Sequence, residues 1–175
     1  MRISRVGLLA ASAIIGMAAP RAVHAQWGVG AFVGREFDES DHWMFLGADA
    51  RVPLQNSPVI INPRFVYHSY GSGSTAFQFD VNVLYDFKLA NPGLIRPYLG
   101  VGGGLVHTSF GTDFGCDVDC SQTTLVADFV AGFKLAFGNG DSQVVPFVNT
   151  EYSFAKQFTN TYQLSAGIIY TPKKK

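Results

Sequence analysis

Hydrophobic and polar residues alternate along most of this chain with a period of two. The clearest case runs over 77–89. Phe77, Phe79, Val81, Val83, Tyr85, Phe87 and Leu89 share one parity, and Gln78, Asp80, Asn82, Asp86 and Lys88 share the other. Only Leu84 breaks the rule. Such alternation marks a β-strand with one face in an apolar medium and one in a polar medium. The run is long enough to cross a bilayer when tilted.

Seven further segments repeat the pattern, at 27–34, 43–52, 59–69, 96–107, 123–137, 144–154 and 161–171. Pro63 interrupts the third and weakens it, because proline cannot donate to a sheet ladder. Turn chemistry separates the segments: Asn56-Ser57-Pro58, Asn91-Pro92-Gly93 and Gly138-Asn139-Gly140-Asp141. The longest connection, 109–122, contains both cysteines, Cys116 and Cys120. The pattern predicts an all-β fold, an eight-stranded antiparallel up-and-down barrel.

Volume decides which face points inward. An eight-stranded barrel has an interior only just wide enough for side chains. The large Phe, Tyr, Leu and Val parity would overfill it, so that parity is expected outside, against lipid. Glycines, other small residues and a few charges are then expected inside. Trp27, Phe87, Phe137 and Tyr170 fall at one level of such a barrel, and Tyr67, Phe77, Phe154 and Tyr162 at the other. Two aromatic girdles around an aliphatic belt are the pattern of a transmembrane barrel. The inward parity also carries balanced charge. Arg51, Arg64, Lys88, Arg96 and Lys134 stand against Asp49, Asp80, Asp86, Asp128 and Glu151. These ten are expected to form a lumen ion-pair network that plugs the barrel, since buried charges persist when paired.

The first 25 residues read differently. Met1-Arg2-Ile3-Ser4-Arg5 is basic, Val6 to Ala19 is apolar, Pro20 breaks the run, and Val23-His24-Ala25 resembles a cleavage site. This predicts a signal peptide over 1–25 and a barrel domain over 26–175. Cleavage removes three arginines and no acids, which takes Lys+Arg from 13 to 10 against 13 acids. With that slight negative surplus, nucleic-acid binding is not expected. Export into an oxidising compartment makes a Cys116–Cys120 disulfide the preferred reading over a metal site or free thiols. No cofactor is expected, and no zinc-protease, nucleophile-elbow or phosphate-loop motif occurs.

The segment Arg96-Pro97-Tyr98-Leu99-Gly100-Val101-Gly102-Gly103-Gly104, with the strand set and the signal peptide, resembles the small outer-membrane barrels of Gram-negative bacteria. That group includes the OmpA transmembrane domain, OmpX and the opacity-type surface proteins. The resemblance implies a location in the outer membrane, contact with its lipid and lipopolysaccharide, and a structural or adhesion-type role through the outer loops, with an unidentified surface partner. The surface acids Glu36, Asp38, Glu39 and Asp41 in the first loop, and Asp113, Asp117 and Asp119 in the third, are expected to attract divalent cations. Two alternatives stand beside this reading. His107 and Ser109 resemble the His-x-Ser pair of lipid A deacylase barrels, with Asp117 or Asp119 as the orienting acid and Phe110 where that family has Asn. A periplasmic lipocalin-like carrier would need the opposite assignment of faces. The expectation is a non-enzymatic barrel.

Overall fold

The structure is a computed structural model that describes residues 27–37, 42–70, 73–87, 95–110, 120–135, 143–155 and 160–172. Eight strands follow one another: β1 (Gly28–Phe37), β2 (His42–Pro53), β3 (Val59–Ser69), β4 (Thr75–Asp86), β5 (Ile95–Phe110), β6 (Cys120–Leu135), β7 (Val144–Ala155) and β8 (Thr161–Tyr170). Each pairs antiparallel with its sequence neighbour, and β1 pairs with β8 to close the barrel. Closure leaves no sheet edge unpaired. The fold is the eight-stranded antiparallel up-and-down barrel that the alternation predicts.

Pro63 does not end β3. The β2–β3 ladder runs through Asp49↔Arg64 and resumes at Val52↔Ile61 in unchanged register. Continuing that register places Ala50 opposite Pro63. The Ala50 carbonyl accepts a hydrogen bond from Asn62 Nδ2 at 2.9 Å. A side-chain amide thus stands in for the N–H that proline lacks.

The faces divide as expected on the outside. Val29, Val33, Leu46, Phe65, Phe79, Val81, Val83, Val101, Leu125, Phe129 and Ile168 are all exposed and form an apolar belt. Trp27, Phe87 and Tyr170 flank it at one end, and Phe77, Phe154 and Tyr162 at the other. Phe137 lies outside the described residues. A soluble monomer rarely exposes so continuous an apolar surface.

The inside departs from expectation. Small residues and charges do not fill it alone. Phe32, Phe45, Val66, Phe147 and Ile169 form one buried apolar cluster, and Ile60, Leu84, Tyr98 and Val130 form another. Cross-strand pairing explains how they fit. Phe32 lies opposite Gly47 and Gly167, Phe45 opposite Gly34, Leu84 opposite Gly100, and Tyr98 opposite Gly132. Each large side chain leans over a neighbour that has none. Glycines and large side chains share the inward parity, and pairing sets each large side chain against a glycine on the neighbouring strand.

Candidate functional site: the lumen network

The polar lumen is built from the same inward parity. Arg64 on β3 forms an ion pair with Glu151 on β7, across the barrel from it. Its guanidinium also lies over the Phe32 ring, 5.2 Å from the centroid. Arg51 binds Asp49 through Nε at 3.0 Å, and its guanidinium stacks between the rings of Phe147, at 4.6 Å, and Tyr98, at 5.1 Å. Asp49 also accepts from Asn62 Nδ2 at 2.9 Å. Tyr98 Oη lies 3.4 Å from both the Arg51 guanidinium and Asn149 Oδ1. The two arginines therefore tie the charged layer to the aromatic one. Guanidinium is suited to this place because its flat faces stack while its edge binds carboxylate.

A second polar group lies toward the other end of the same strands. His68 Nδ1 is 2.8 Å from Glu36 Oε2, and His68 Nε2 is 3.2 Å from Gln78 Oε1. Gln78 Nε2 donates to both oxygens of Asp80 at 3.0 Å. Ser153 Oγ donates to Asp128 Oδ1 at 2.8 Å. Lys134 pairs with Asp86, both partly exposed at the end of their strands.

Asp80, Asp128 and Glu151 converge. All three are buried, and one oxygen of each lies within 4.8 Å of one oxygen of each of the others. Alternation predicts that they point inward, but it cannot say that three acids from β4, β6 and β7 meet.

Two expected positions change. Glu36 is not a surface acid. It is the ninth residue of β1, is buried, and binds His68 inside the barrel. It shares the inward parity with Gly34 and Phe32, and β1 runs three residues beyond the segment that alternation marks. Arg96 is not in the buried network. It has the inward parity but sits at the mouth of β5, exposed to solvent. Lys88 lies outside the described residues, as do Asp38, Glu39, Asp41, Asp113, Asp117, Asp119 and Cys116. The lumen network also takes in uncharged polar side chains that alternation turns inward but that charge pairing does not single out: Tyr98, Asn62, Asn82, Asn149 and Gln78. Inward parity was their available signal.

His107 and Ser109 fall on the outward parity of β5, beside Leu105. His107 Nδ1 is 2.8 Å from Thr123 Oγ1. A hydroxyl thus contacts the imidazole at a nitrogen that a triad would give to a carboxylate.

No family model and no curated protein sequence matches this chain. Solved structures do. Neisserial surface protein A is similar with a TM-score of 0.64 at 15% identity, over 87% of this chain and 100% of that one. Ail, the attachment invasion locus protein of Yersinia pestis, gives 0.55 at 16% identity, over 83% of this chain and 97% of that one. The outer membrane enzyme PagL gives 0.50 at 17% identity, over 83% of this chain and 99% of that one. With its closed antiparallel strand order, aromatic-flanked apolar exterior and ion-paired interior, the chain has the fold of the small eight-stranded outer-membrane β-barrels.

Proposed function

We propose that the protein is a non-enzymatic barrel of the Gram-negative outer membrane, exported by a cleaved signal peptide over 1–25, with a closed lumen and a structural or surface-interaction role carried by its outer loops. The observation that carries this reading is the inversion of the usual protein surface: exposed Phe, Leu, Val and Tyr outside, buried Arg, Asp, Glu and Asn inside. Lipid is the solvent that rewards such a surface. The lipocalin-like alternative needs the reverse, and the apolar exterior disfavours it.

The similarity to Ail, whose name marks it as an attachment protein, is consistent with a surface role, whereas PagL has a related fold and is an enzyme. What favours the non-enzymatic reading here is the Thr123 contact at His107. The loop acids Asp38, Glu39, Asp41, Asp113, Asp117 and Asp119 outnumber the nearby cations Arg35 and Lys156. Such a rim would meet anionic lipopolysaccharide through bridging divalent cations, because hard cations favour carboxylate oxygens. We further propose a disulfide between Cys116 and Cys120, in the same stretch of sequence as Asp113, Asp117 and Asp119.

Expression in a Gram-negative host tests the location and the fold together. The protein should fractionate with the outer membrane and migrate on gels as a compact band that shifts on boiling. A protein recovered soluble and monomeric without detergent would overturn the reading. Replacing His107 and Ser109 should leave the host's lipid A unchanged; a change in acylation that depends on both would establish the enzymatic alternative.

A further inference from the structure

The geometry points to a buried site for a single divalent hard cation, of the Ca²⁺ or Mg²⁺ kind, formed inside the barrel by Asp80, Asp128, Glu151 and the side-chain oxygen of Asn82. Three observations meet there. The first is the convergence of the three carboxylates, with exposures of 0%, 4% and 2% and oxygens within 4.8 Å of one another. Carboxylates this close and this buried repel unless something positive lies between them.

The second is the charge balance. Arg51 is committed to Asp49, His68 faces Glu36, and Lys134 pairs with Asp86 near the barrel mouth. Among the described residues only Arg64 serves the three acids, and its ion pair goes to Glu151. Two negative charges are left over, which one divalent cation cancels.

The third observation is independent of the acids. Asn82 is fully buried, and neither its Oδ1 nor its Nδ2 has a hydrogen-bond partner among the described residues. A buried amide without partners is costly, so its position calls for a ligand. Asn82 lies opposite Gly102, and Gly102 lies opposite Asp128. The Asn82 oxygen occupies the space where a Gly102 side chain would begin, so the amide reaches over β5 toward Asp128. Asp128 Oδ2 is likewise unpartnered, while its Oδ1 accepts from Ser153. Asp80 keeps its bonds from Gln78, whose single Nε2 serves both of its oxygens and leaves lone pairs free. An all-oxygen set of carboxylates and one amide carbonyl suits calcium or magnesium and not a soft metal.

The test uses the protein refolded in lipid-free detergent micelles with Ca²⁺ or Mg²⁺, then gel-filtered to remove unbound ions. Elemental analysis should find one equivalent of metal per chain, and EDTA should lower the thermal unfolding midpoint. Asp80→Asn and Asp128→Asn should lose the metal. In EDTA both should unfold at a higher temperature than the wild-type chain, because each removes an uncompensated charge. Asn82→Ala leaves the charge unchanged and should weaken metal retention at limiting ion concentration. A loop variant with Asp38→Asn, Glu39→Gln and Asp41→Asn should keep the metal. Wild-type protein that retains none, or Asp80→Asn and Asp128→Asn variants that retain as much as wild type, would overturn the site.

Discussion

A Cβ added at position 132 would sit 2.6 Å from Tyr98 Cζ, 2.6 Å from Tyr98 Oη and 2.6 Å from the Val148 carbonyl oxygen. Tyr98 cannot retreat easily, because its ring stacks on Arg51 and its hydroxyl reaches toward Asn149. Gly132→Ala should therefore cost about 1–3 kcal/mol, the usual range for overpacking a filled interior. Urea unfolding of the refolded barrel in detergent would measure the loss. Unchanged stability would mean that the Tyr98 layer is loose. This glycine also marks what a sequence does not yield directly. That Gly132 faces inward follows from alternation with Phe133. That it faces Tyr98 follows only from the β5–β6 register, which pairing sets and local pattern does not. The same holds for Phe32 with Gly47 and for Phe45 with Gly34. Residue by residue, the glycines looked like generic small fillers. They are specific sockets.

At the scale of the strand, the outward faces are the most legible part of the molecule, because lipid imposes one requirement on every outward residue. Val83 and Phe129 are exposed within β4 and β6. Arginine at either place should cost about 2–4 kcal/mol if it lies at the bilayer midplane, and less near an interface. Folding into vesicles, followed by the heat-shifted gel band, would report it. Equal folding of Val83→Arg and wild type would mean that the belt does not meet hydrocarbon. Strand ends are less legible than strand middles. β1 continues through Glu36 because that acid finds His68 inside, whereas the run Glu36 to Asp41 reads from sequence as one acidic loop. β3 survives Pro63 because Asn62 lends its side chain to the Ala50 carbonyl, and no rule of periodicity anticipates that repair.

For the molecule as a whole, the interior is occupied from side to side by Phe32, Phe45, Phe147 and Tyr98 and by the Arg51 and Arg64 ion pairs. Planar-bilayer recordings should show no steady conductance; large, stable, ion-selective openings would contradict a closed lumen. The loop acids make a separate prediction at the membrane surface. Millimolar Mg²⁺ should raise thermal stability more in lipopolysaccharide-containing membranes than in phospholipid ones. Neutralising Asp38, Glu39 and Asp41 should remove that difference. An undiminished difference in the neutralised variant would leave those acids with no part in bridging.

The pairing of β1 with β8 has a further consequence. Val29 lies opposite Tyr170, so the strand that opens the barrel and the strand that closes it meet at the same end. Thr171, just past β8, is held in place by its N–H bond to the Gln143 carbonyl at 2.7 Å. Topologically the strands form a ring, and the place where the chain is cut is incidental to the ring. A circular permutant that joins Thr171 to Trp27 through a short glycine-serine bridge, and opens instead within the Leu54–Val59 turn, retains all eight strand pairings. It should refold in detergent to the same compact, heat-shifted band. Permutants that stay unfolded would mean that the β2–β3 hairpin must form as a continuous unit before the ring can close.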